Sequence, residues 1–250
     1  MVKVQTDKTT NYLLINNQSK SIPTLFLHGF TGTHDSWNHI VDKLDYQTIT
    51  LDIAGHGKSY FLDRNFKYDI NDWCNDFNDI LDRLNIHKIK LCGYSMGGRL
   101  AIAFASKYPY RIEKLIIESS SWGIKDSIDK KERYKEDLLL SKLIEEDLTE
   151  FARKWQANPL FLKQKERNSI AFLNQQKTRL SQDSLQLSKA LKIFSQGNMD
   201  SYKDEFEKFD FPICIINGSE DSKYIQLGRK MEEINPRAKQ YVIDNANHNV

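Results

Sequence analysis

The motif at residues 93–97, Gly-Tyr-Ser-Met-Gly, constrains the fold more than any other part of the sequence. An apolar run at residues 89–92 precedes it and predicts a buried strand, and apolar residues 100–104 predict a helix packed on both sides. A G-x-S-x-G motif between a strand and a helix places its serine in a strained turn, where the neighbouring side chains must be small. The motif therefore predicts an exposed Ser95 hydroxyl at a helix N-terminus, where free N–H groups favour negative charge.

Strand and helix patterns alternate on both sides of this motif. Short apolar runs predict strands at residues 2–6, 12–16, 24–27, 48–52, 89–92, 113–118, 211–216 and 239–243. The first two would form a hairpin with residues 7–11 as its turn. Helical spacing predicts helices at residues 33–44 and 68–84, with Asp69 as the N-cap of the second. This alternation predicts an α/β fold with a mostly parallel central sheet and helices on both faces.

The alternation stops at residue 119. From there to residue 204 the sequence holds polar helical patterns and no convincing strand. The predicted helices lie at residues 129–142, 145–155, 159–178 and 182–194. We therefore predict a core made of residues 1–118 and 205–250, with residues 119–204 inserted as a helical lid over one edge of the sheet.

Charge and composition exclude several classes of protein. A formal net charge of +2 in 250 residues gives no footprint for nucleic acid or for an acidic membrane surface. The first residues lack the apolar core of a signal peptide, and no apolar run reaches the roughly 18 residues that span a bilayer. We expect a cytoplasmic protein without a metal or a cofactor. Whether it is a monomer or a homodimer stays open.

Two further polar residues follow predicted strands on the same edge of the sheet as Ser95. Asp221 comes just after the strand at residues 211–216, and His248 comes just after the strand at residues 239–243. A serine hydroxyl is a weak nucleophile or base until an imidazole accepts its proton, and a carboxylate orients that imidazole. The order serine, acid, histidine is that of α/β-hydrolases. The sequence therefore predicts a catalytic triad of Ser95, Asp221 and His248.

A glycine-rich turn at residues 28–32 follows the strand at residues 24–27 and reaches the same edge. Its backbone could stabilise negative charge on a substrate oxygen. We predict that the Phe30 and Met96 N–H groups form this oxyanion hole. We interpret His28 as a turn residue whose ring holds the loop.

These motifs resemble the α/β-hydrolase superfamily over almost the whole chain. The resemblance rests on Leu-His-Gly-Phe at residues 27–30, Asp-Ile-Ala-Gly-His-Gly-Lys-Ser at residues 52–59, the serine motif, Gly218-x-x-Asp221 and the late histidine. More narrowly, residues 93–101 resemble the 2-succinyl-6-hydroxy-2,4-cyclohexadiene-1-carboxylate synthases. That resemblance implies a lyase of menaquinone (vitamin K2) biosynthesis, which eliminates pyruvate from 2-succinyl-5-enolpyruvyl-6-hydroxy-3-cyclohexene-1-carboxylate. Ser95 would act in it as the base.

The substrate implied by this resemblance is a small anion with several carboxylates, and arginine binds carboxylates with two parallel hydrogen bonds. Arg99 lies one helical turn after Ser95 and on the same side. Lid landmarks of the family add further candidates. The predicted substrate-binding residues are Tyr94, Arg99, Arg133, Trp155 and Arg179. Each also has a structural explanation: the arginines could be solvated at the surface, Trp155 could be lid core and Tyr94 could serve packing.

Two other functions fit the same residues. A serine hydrolase of a small ester or a carbon–carbon bond would use Ser95 as a nucleophile, and a non-catalytic member of the fold would only bind its ligand. The sequence also departs from the family at its end. Family members usually continue with a helix after the histidine, whereas this sequence ends at Val250. We therefore expect the segment around His248 to fray and to lose its alignment with Ser95.

Overall fold

The computed structural model describes residues 1–17, 19, 21–63, 67–161 and 164–250. In these ranges nine strands form one sheet. The strands are β1 (Val2–Gln5), β2 (Thr9–Asn16), β3 (Thr24–Leu27), β4 (Thr48–Leu51), β5 (Tyr60–Phe61), β6 (Ile89–Tyr94), β7 (Ile112–Glu118), β8 (Ile213–Gly218) and β9 (Ala238–Ile243). The α-helices are α1 (Asn38–Val41), α2 (Ile70–Arg83), α3 (Met96–Lys107), α4 (Ser127–Glu146), α5 (Leu148–Gln156), α6 (Gln164–Arg167), α7 (Ser169–Leu180), α8 (Ser184–Phe194), α9 (Lys203–Phe206) and α10 (Ser222–Ile234).

The strands run in the order β1-β2-β4-β3-β6-β7-β8-β9, with β5 paired to β2. The pairs from β4 through β3, β6, β7 and β8 to β9 are parallel, and only the pairs that involve β2 with β1, β4 or β5 are antiparallel. The predicted mostly parallel sheet is therefore confirmed. Because parallel strands end at the same edge, the loops after β3, β6, β7, β8 and β9 meet there.

Helices α2 and α3 pack against the sheet through buried aromatic and aliphatic side chains. Asp69 is the N-cap of α2, as predicted, and its side chain accepts a hydrogen bond from the Asp72 N–H. Its Phe77 ring lies 4.6 Å from the Phe104 ring of α3. Helix α3 is buried on all sides from Met96 to Ala105, as expected of a helix between the sheet and other helices.

Several element boundaries differ from those that the sequence predicted. The hairpin turn is shorter, since β2 already begins at Thr9. The first predicted helix is a 3₁₀ turn (His34–Trp37) followed by the single turn of α1. The predicted helix at residues 159–178 is split, because the Asn168 side chain caps a new helix, α7, by accepting from the Ala171 N–H. Residues 162–163 of that prediction lie outside the described residues. Strand β5 and helices α9 and α10 were not predicted.

The described residues between β7 and β8 are helical or irregular, and α4, α5 and α8 share a small core of Ile144, Phe151, Leu187 and Leu191. This segment is also continuous with the main core, to which Phe194 and Met199 belong. The exact boundaries of the lid therefore stay a prediction. None of the described helices combines the length and the apolarity needed to cross a membrane.

Replacing Gly97 by alanine is expected to lower the free energy of unfolding by about 1–3 kcal/mol. Added at Gly97, a Cβ atom would collide with the Leu27 and His28 carbonyl oxygens, and backbone at the end of β3 cannot move aside as a side chain could. Urea unfolding measures the change. Ser106→Ala, in the same helix, adds no atom and should unfold like the unmodified protein. A Gly97→Ala variant of undiminished stability would contradict the prediction.

Candidate active site

Ser95 occupies the turn between β6 and α3 with a left-handed backbone, φ +51° and ψ −109°. Its N–H donates to the Glu118 carbonyl oxygen at 2.9 Å, and its own carbonyl oxygen accepts from the Ser120 hydroxyl at 2.8 Å. A Cβ atom at Gly93 would collide with the backbone of Gly97, so both flanking glycines are required by close approach. These contacts hold the strained turn and leave the half-buried Ser95 side chain at the edge of the sheet.

The three predicted triad residues lie in hydrogen-bond contact. The Ser95 Oγ atom is 3.0 Å from His248 Nε2, and His248 Nδ1 is 2.7 Å from Asp221 Oδ2. Asp221 is also the N-cap of α10, where its Oδ1 atom accepts from the Tyr224 N–H at 3.3 Å. The carboxylate accepts the Nδ1 proton, so Nε2 is left to accept the proton of the serine hydroxyl.

The segment around His248 is held, contrary to our expectation that it would fray. His248 is 1% exposed, and its ring lies 4.6 Å from the Tyr224 ring. Its backbone N–H donates to Asn247 Oδ1 at 2.9 Å. Two residues later, the Val250 N–H donates to Glu118 Oε1 at 2.9 Å. Contacts with β7 and α10 therefore align the imidazole with Ser95.

The loop after β3 passes against the serine turn. A Cβ atom at Gly29 would lie 2.7 Å from the Tyr94 ring and 3.6 Å from Ser95 Cβ. Phe30 follows in this loop, and Met96 begins α3. In the described part of the chain, neither N–H takes part in the turn, loop and cap hydrogen bonds. Both groups stay our prediction for the oxyanion hole, because both are backbone donors beside Ser95.

His28 fixes the conformation of this loop through two hydrogen bonds of its ring. Its Nε2 atom accepts from the Ile53 N–H at 3.0 Å, so its Nδ1 carries the proton and donates to the Gly29 carbonyl oxygen at 2.8 Å. Burial lowers the pKa of His28 to about 4, so the ring is neutral near pH 7. The contacts agree with our interpretation of His28 as a turn residue.

Arg99 and Arg179 are buried without a carboxylate partner in the described residues. Arg99 is 8% exposed, donates from Nη2 to the Phe194 carbonyl oxygen at 3.2 Å and leaves Nε unpaired. Arg179 is 6% exposed, donates from Nε to the Thr31 hydroxyl at 3.2 Å and leaves Nη1 unpaired. Burial lowers the pKa of each to about 10, which still leaves both charged at neutral pH. The alternative explanation, in which these arginines are solvated at the surface, is therefore wrong for both Arg99 and Arg179.

Both guanidinium groups lie near side chains of the site. Arg99 lies near Tyr224, whose ring contacts His248, and near the ion pair of Arg133 with Asp137, while Arg179 lies near Tyr94, which precedes Ser95. A buried charge without a counter-ion costs several kcal/mol, so it is rarely kept for stability. The site therefore has two unneutralised positive charges beside the predicted triad, an arrangement suited to an anion.

Arg133, Trp155 and Tyr94 have partners of their own. Arg133 is half-buried and donates from Nε to Asp137 Oδ2 at 3.0 Å, and its charge contributes to the lowered pKa of Arg99. Trp155 lies 5.4 Å from the Phe30 ring and 5.9 Å from the Phe161 ring. The Phe161 ring is in turn 6.0 Å from the His248 ring. Trp155 thus packs in the lid and also belongs to an aromatic wall that reaches the imidazole.

The Tyr94 ring lies 5.6 Å from the His248 ring and packs with a cluster around Phe26 and Trp37. Burial, reinforced by the nearby Glu118, raises the pKa of the Tyr94 hydroxyl well above its ordinary value. The nearby Asn249 side chain offsets part of this rise. Tyr94 therefore contacts the histidine segment, and the packing role that the sequence left open is present.

Glu118 and Tyr224 are site residues that the sequence analysis missed. Glu118 ends β7 as a 7% exposed carboxyl, and burial raises its pKa from 4.5 to about 7. A charged residue at the end of an apolar strand was a usable signal for it. Nothing in the sequence pattern singled out Tyr224. In the ranges that the structure describes, no group of three or more His, Cys, Asp or Glu side chains is arranged to hold a metal ion.

A family model described as alpha/beta hydrolase fold matches residues 23–250. The chain therefore belongs to the α/β-hydrolase family of enzymes. It is 32% identical over 226 residues to a Bacillus subtilis (strain 168) protein named "Putative 2-succinyl-6-hydroxy-2,4-cyclohexadiene-1-carboxylate synthase", covering 90% of this chain and 82% of that protein.

Two further comparisons agree with this similarity. The chain is 28% identical over 229 residues to the 2-succinyl-6-hydroxy-2,4-cyclohexadiene-1-carboxylate synthase of Enterobacter sp. (strain 638), covering 90% of this chain and 84% of that protein. The solved structure of MenH from S. aureus matches with a TM-score of 0.89 at 28% identity, covering 94% of this chain and 90% of that one.

Replacing Glu118 by glutamine is expected to remove a pH-dependent loss of stability. Between pH 4.5 and about 7 the unfolded chain releases the Glu118 proton while the folded chain keeps it, so the free energy of unfolding falls as the pH rises. The loss is fully developed above about pH 7 and is on the order of 3 kcal/mol. Glutamine does not titrate and therefore avoids it.

Urea unfolding of both proteins across this pH range measures the difference. The stability of Glu118→Gln relative to the unmodified protein should grow from pH 4.5 to about 7 and then stay level. Other titrating groups, including His28, are common to both proteins and cancel. Glu113→Gln, at a half-exposed position in the same strand, is the matched control for exchanging a glutamate for a glutamine. A pH-independent difference at Glu118 would contradict the prediction.

Proposed function

We propose that this protein is a 2-succinyl-6-hydroxy-2,4-cyclohexadiene-1-carboxylate synthase, which eliminates pyruvate from 2-succinyl-5-enolpyruvyl-6-hydroxy-3-cyclohexene-1-carboxylate in menaquinone biosynthesis. The observation that carries the proposal is the pair of buried, unneutralised arginines, Arg99 and Arg179, beside a Ser–His–Asp arrangement. The names of the relatives at 28–32% identity support the same activity. The expected ligand is a small anion with several carboxylates.

In the proposed mechanism Ser95 acts as a base. Its Oγ atom removes a proton from the substrate ring while its own proton moves to His248 Nε2, and Asp221 stabilises the resulting imidazolium. The electrons of the broken C–H bond enter the ring to form the diene, and the bond between the ring carbon and the enolpyruvyl oxygen breaks. The enolate of pyruvate leaves with that oxygen and takes up on its terminal carbon the proton that His248 Nε2 has received, so the imidazole returns to its neutral form.

The other predicted residues would bind and orient the substrate. Arg99 and Arg179 would each hold a carboxylate, with Arg133 contributing from the lid. The Phe30 and Met96 N–H groups would stabilise the enolate-like charge that develops during elimination. Trp155 and Tyr94 would form walls of the site. The mechanism needs no cofactor, because each proton transfer is assigned to a side chain of this protein.

A serine hydrolase remains the second candidate function. The 3.0 Å contact between Ser95 Oγ and His248 Nε2 suits a nucleophile as well as a base. A ligand-binding protein without activity is less well supported, because its triad would have no reason to keep this contact.

Arg99→Ala is expected to lower kcat/KM for pyruvate release. The decrease should correspond to a loss of about 2–4 kcal/mol of transition-state stabilisation. The substrate carboxylate would lose its bidentate partner, and Arg99→Lys should recover only part of the loss because an ammonium lacks the planar fork. Pyruvate formation from the substrate is the measurement. Arg153→Ala, which changes an exposed arginine of the lid, should leave the rate unchanged. Near-normal kcat/KM in Arg99→Ala would reject the assignment.

The base and nucleophile mechanisms are expected to differ in what accumulates on the protein. A nucleophilic Ser95 passes through a covalent intermediate, whereas a base only exchanges protons. We expect the intact mass of the protein, quenched within a few turnovers, to stay unchanged, and we expect deuterium at the abstracted ring position to slow the reaction if proton transfer limits the rate. An adduct on Ser95 that forms and disappears at the catalytic rate would reject the base and favour the hydrolase.

A further inference from the structure

Among the described residues of β7, Glu118 is the one that forms hydrogen bonds both with Ser95 and with the segment from His248 to Val250. Its backbone carbonyl oxygen accepts from the Ser95 N–H at 2.9 Å. Its side-chain Oε1 atom accepts from the Val250 N–H, also at 2.9 Å. A single residue thus joins the backbone of the serine to the segment that carries His248.

The neighbouring strand adds a second contact to the same segment. Tyr94 is the register partner of Glu118 across β6 and β7, and its hydroxyl lies near the Asn249 side chain. The three consecutive residues from His248 to Val250 therefore each interact with residues of the site. His248 contacts Ser95 and Asp221, Asn249 lies near Tyr94, and Val250 contacts Glu118.

The chemistry of Glu118 argues against a role in stability alone. It is 7% exposed, and no Lys, Arg or His of the described ranges forms an ion pair with it. A buried carboxyl without a cation lowers stability whenever it is ionised, and an apolar residue of the same volume would avoid that loss. A carboxyl oxygen at this point accepts a backbone hydrogen bond that an apolar side chain could not accept.

We propose that Glu118 is a positioning residue that holds the His248 segment through the Val250 amide and so keeps the imidazole aligned with Ser95. It does not touch the substrate in this proposal, and it acts through the position of His248 Nε2 relative to Ser95 Oγ. The inference deepens the proposed function and rests on it for the choice of the assay reaction. The alignment itself can be measured without substrate.

The experiment compares four variants. Glu118→Leu removes the acceptor at nearly the same volume, and Glu118→Gln keeps an oxygen at the Oε1 position. Val250→Pro removes the amide donor and leaves Glu118 unchanged. Glu113→Gln, a half-exposed glutamate in the same strand, is the matched control.

Two measurements are made on each variant. The first is the steady-state rate of pyruvate release, with kcat and KM determined separately. The second is the low-field proton resonance of His248 Nδ1–H in the free protein, assigned by its absence in His248→Ala.

Glu118→Leu and Val250→Pro should each lower kcat about ten- to a hundredfold with KM nearly unchanged, because the arginines still hold the substrate while the imidazole is displaced. Their His248 Nδ1–H resonance should broaden or disappear. Glu118→Gln should keep the resonance and stay within about threefold of the original kcat, because it still accepts the bond. Glu118→Leu should be at least as stable as the unmodified protein above pH 7, since it no longer buries a charge.

A folded Glu118→Leu protein with its original kcat and an intact resonance would overturn the proposal. So would a fall in kcat that follows only from a smaller folded fraction, because that result would assign Glu118 a purely structural role. If the unmodified protein releases no pyruvate, the proposed function fails, and the resonance alone still decides whether Glu118 aligns His248. If Glu118→Leu is too unstable to be isolated, Val250→Pro tests the proposal in its place, because that substitution lies outside the core.

Discussion

The left-handed backbone of Ser95 is the constraint on which the site depends. A non-glycine residue with φ near +51° is unfavourable and persists only where its surroundings hold it. Here the Ser95 N–H is fixed to β7 and its carbonyl oxygen to Ser120, while glycines at positions 93 and 97 let strand, helix and the end of β3 approach one another. The parallel sheet supplies these neighbours, so the fold holds the half-buried Ser95 hydroxyl in a position that no isolated peptide would keep.

The second constraint is charge. Arg99 and Arg179, which have no carboxylate partner in the described residues, lie where the core and the lid meet. Arg99 belongs to α3 but bonds the carbonyl oxygen of Phe194 at the end of α8. Arg179 belongs to α7 but bonds Thr31 in the loop after β3, a residue with a left-handed backbone of its own at φ +67°. Neutral acceptors position both groups without neutralising them. The same contacts that join lid and core thus leave the positive charge available to a ligand.

The sequence allowed the sheet and the order of the triad to be predicted, because both depend on local patterns. Apolar runs identify strands, and a polar residue directly after each strand must lie at their common edge. Glu118 was missed because its importance comes from Val250, 132 residues further along the chain, and local patterns contain no such contact. The split between α6 and α7 was missed because a single capping residue, Asn168, outweighed continuous helical spacing.

The sequence also could not establish whether the arginines were buried, since a charged residue on a helix is most often solvated. Their burial bears on the chemistry that one triad can perform. A carboxylate paired with a guanidinium is a poor acceptor for a nucleophile, because its carbonyl carbon already carries the electron density of an anion. A ligand held by Arg99 and Arg179 that carries no ester group would therefore offer Ser95 Oγ a C–H bond and no acyl group to attack. For such a ligand the hydroxyl would remove a proton, although the hydrogen bonds of Ser95, His248 and Asp221 are the same for a base and for a nucleophile.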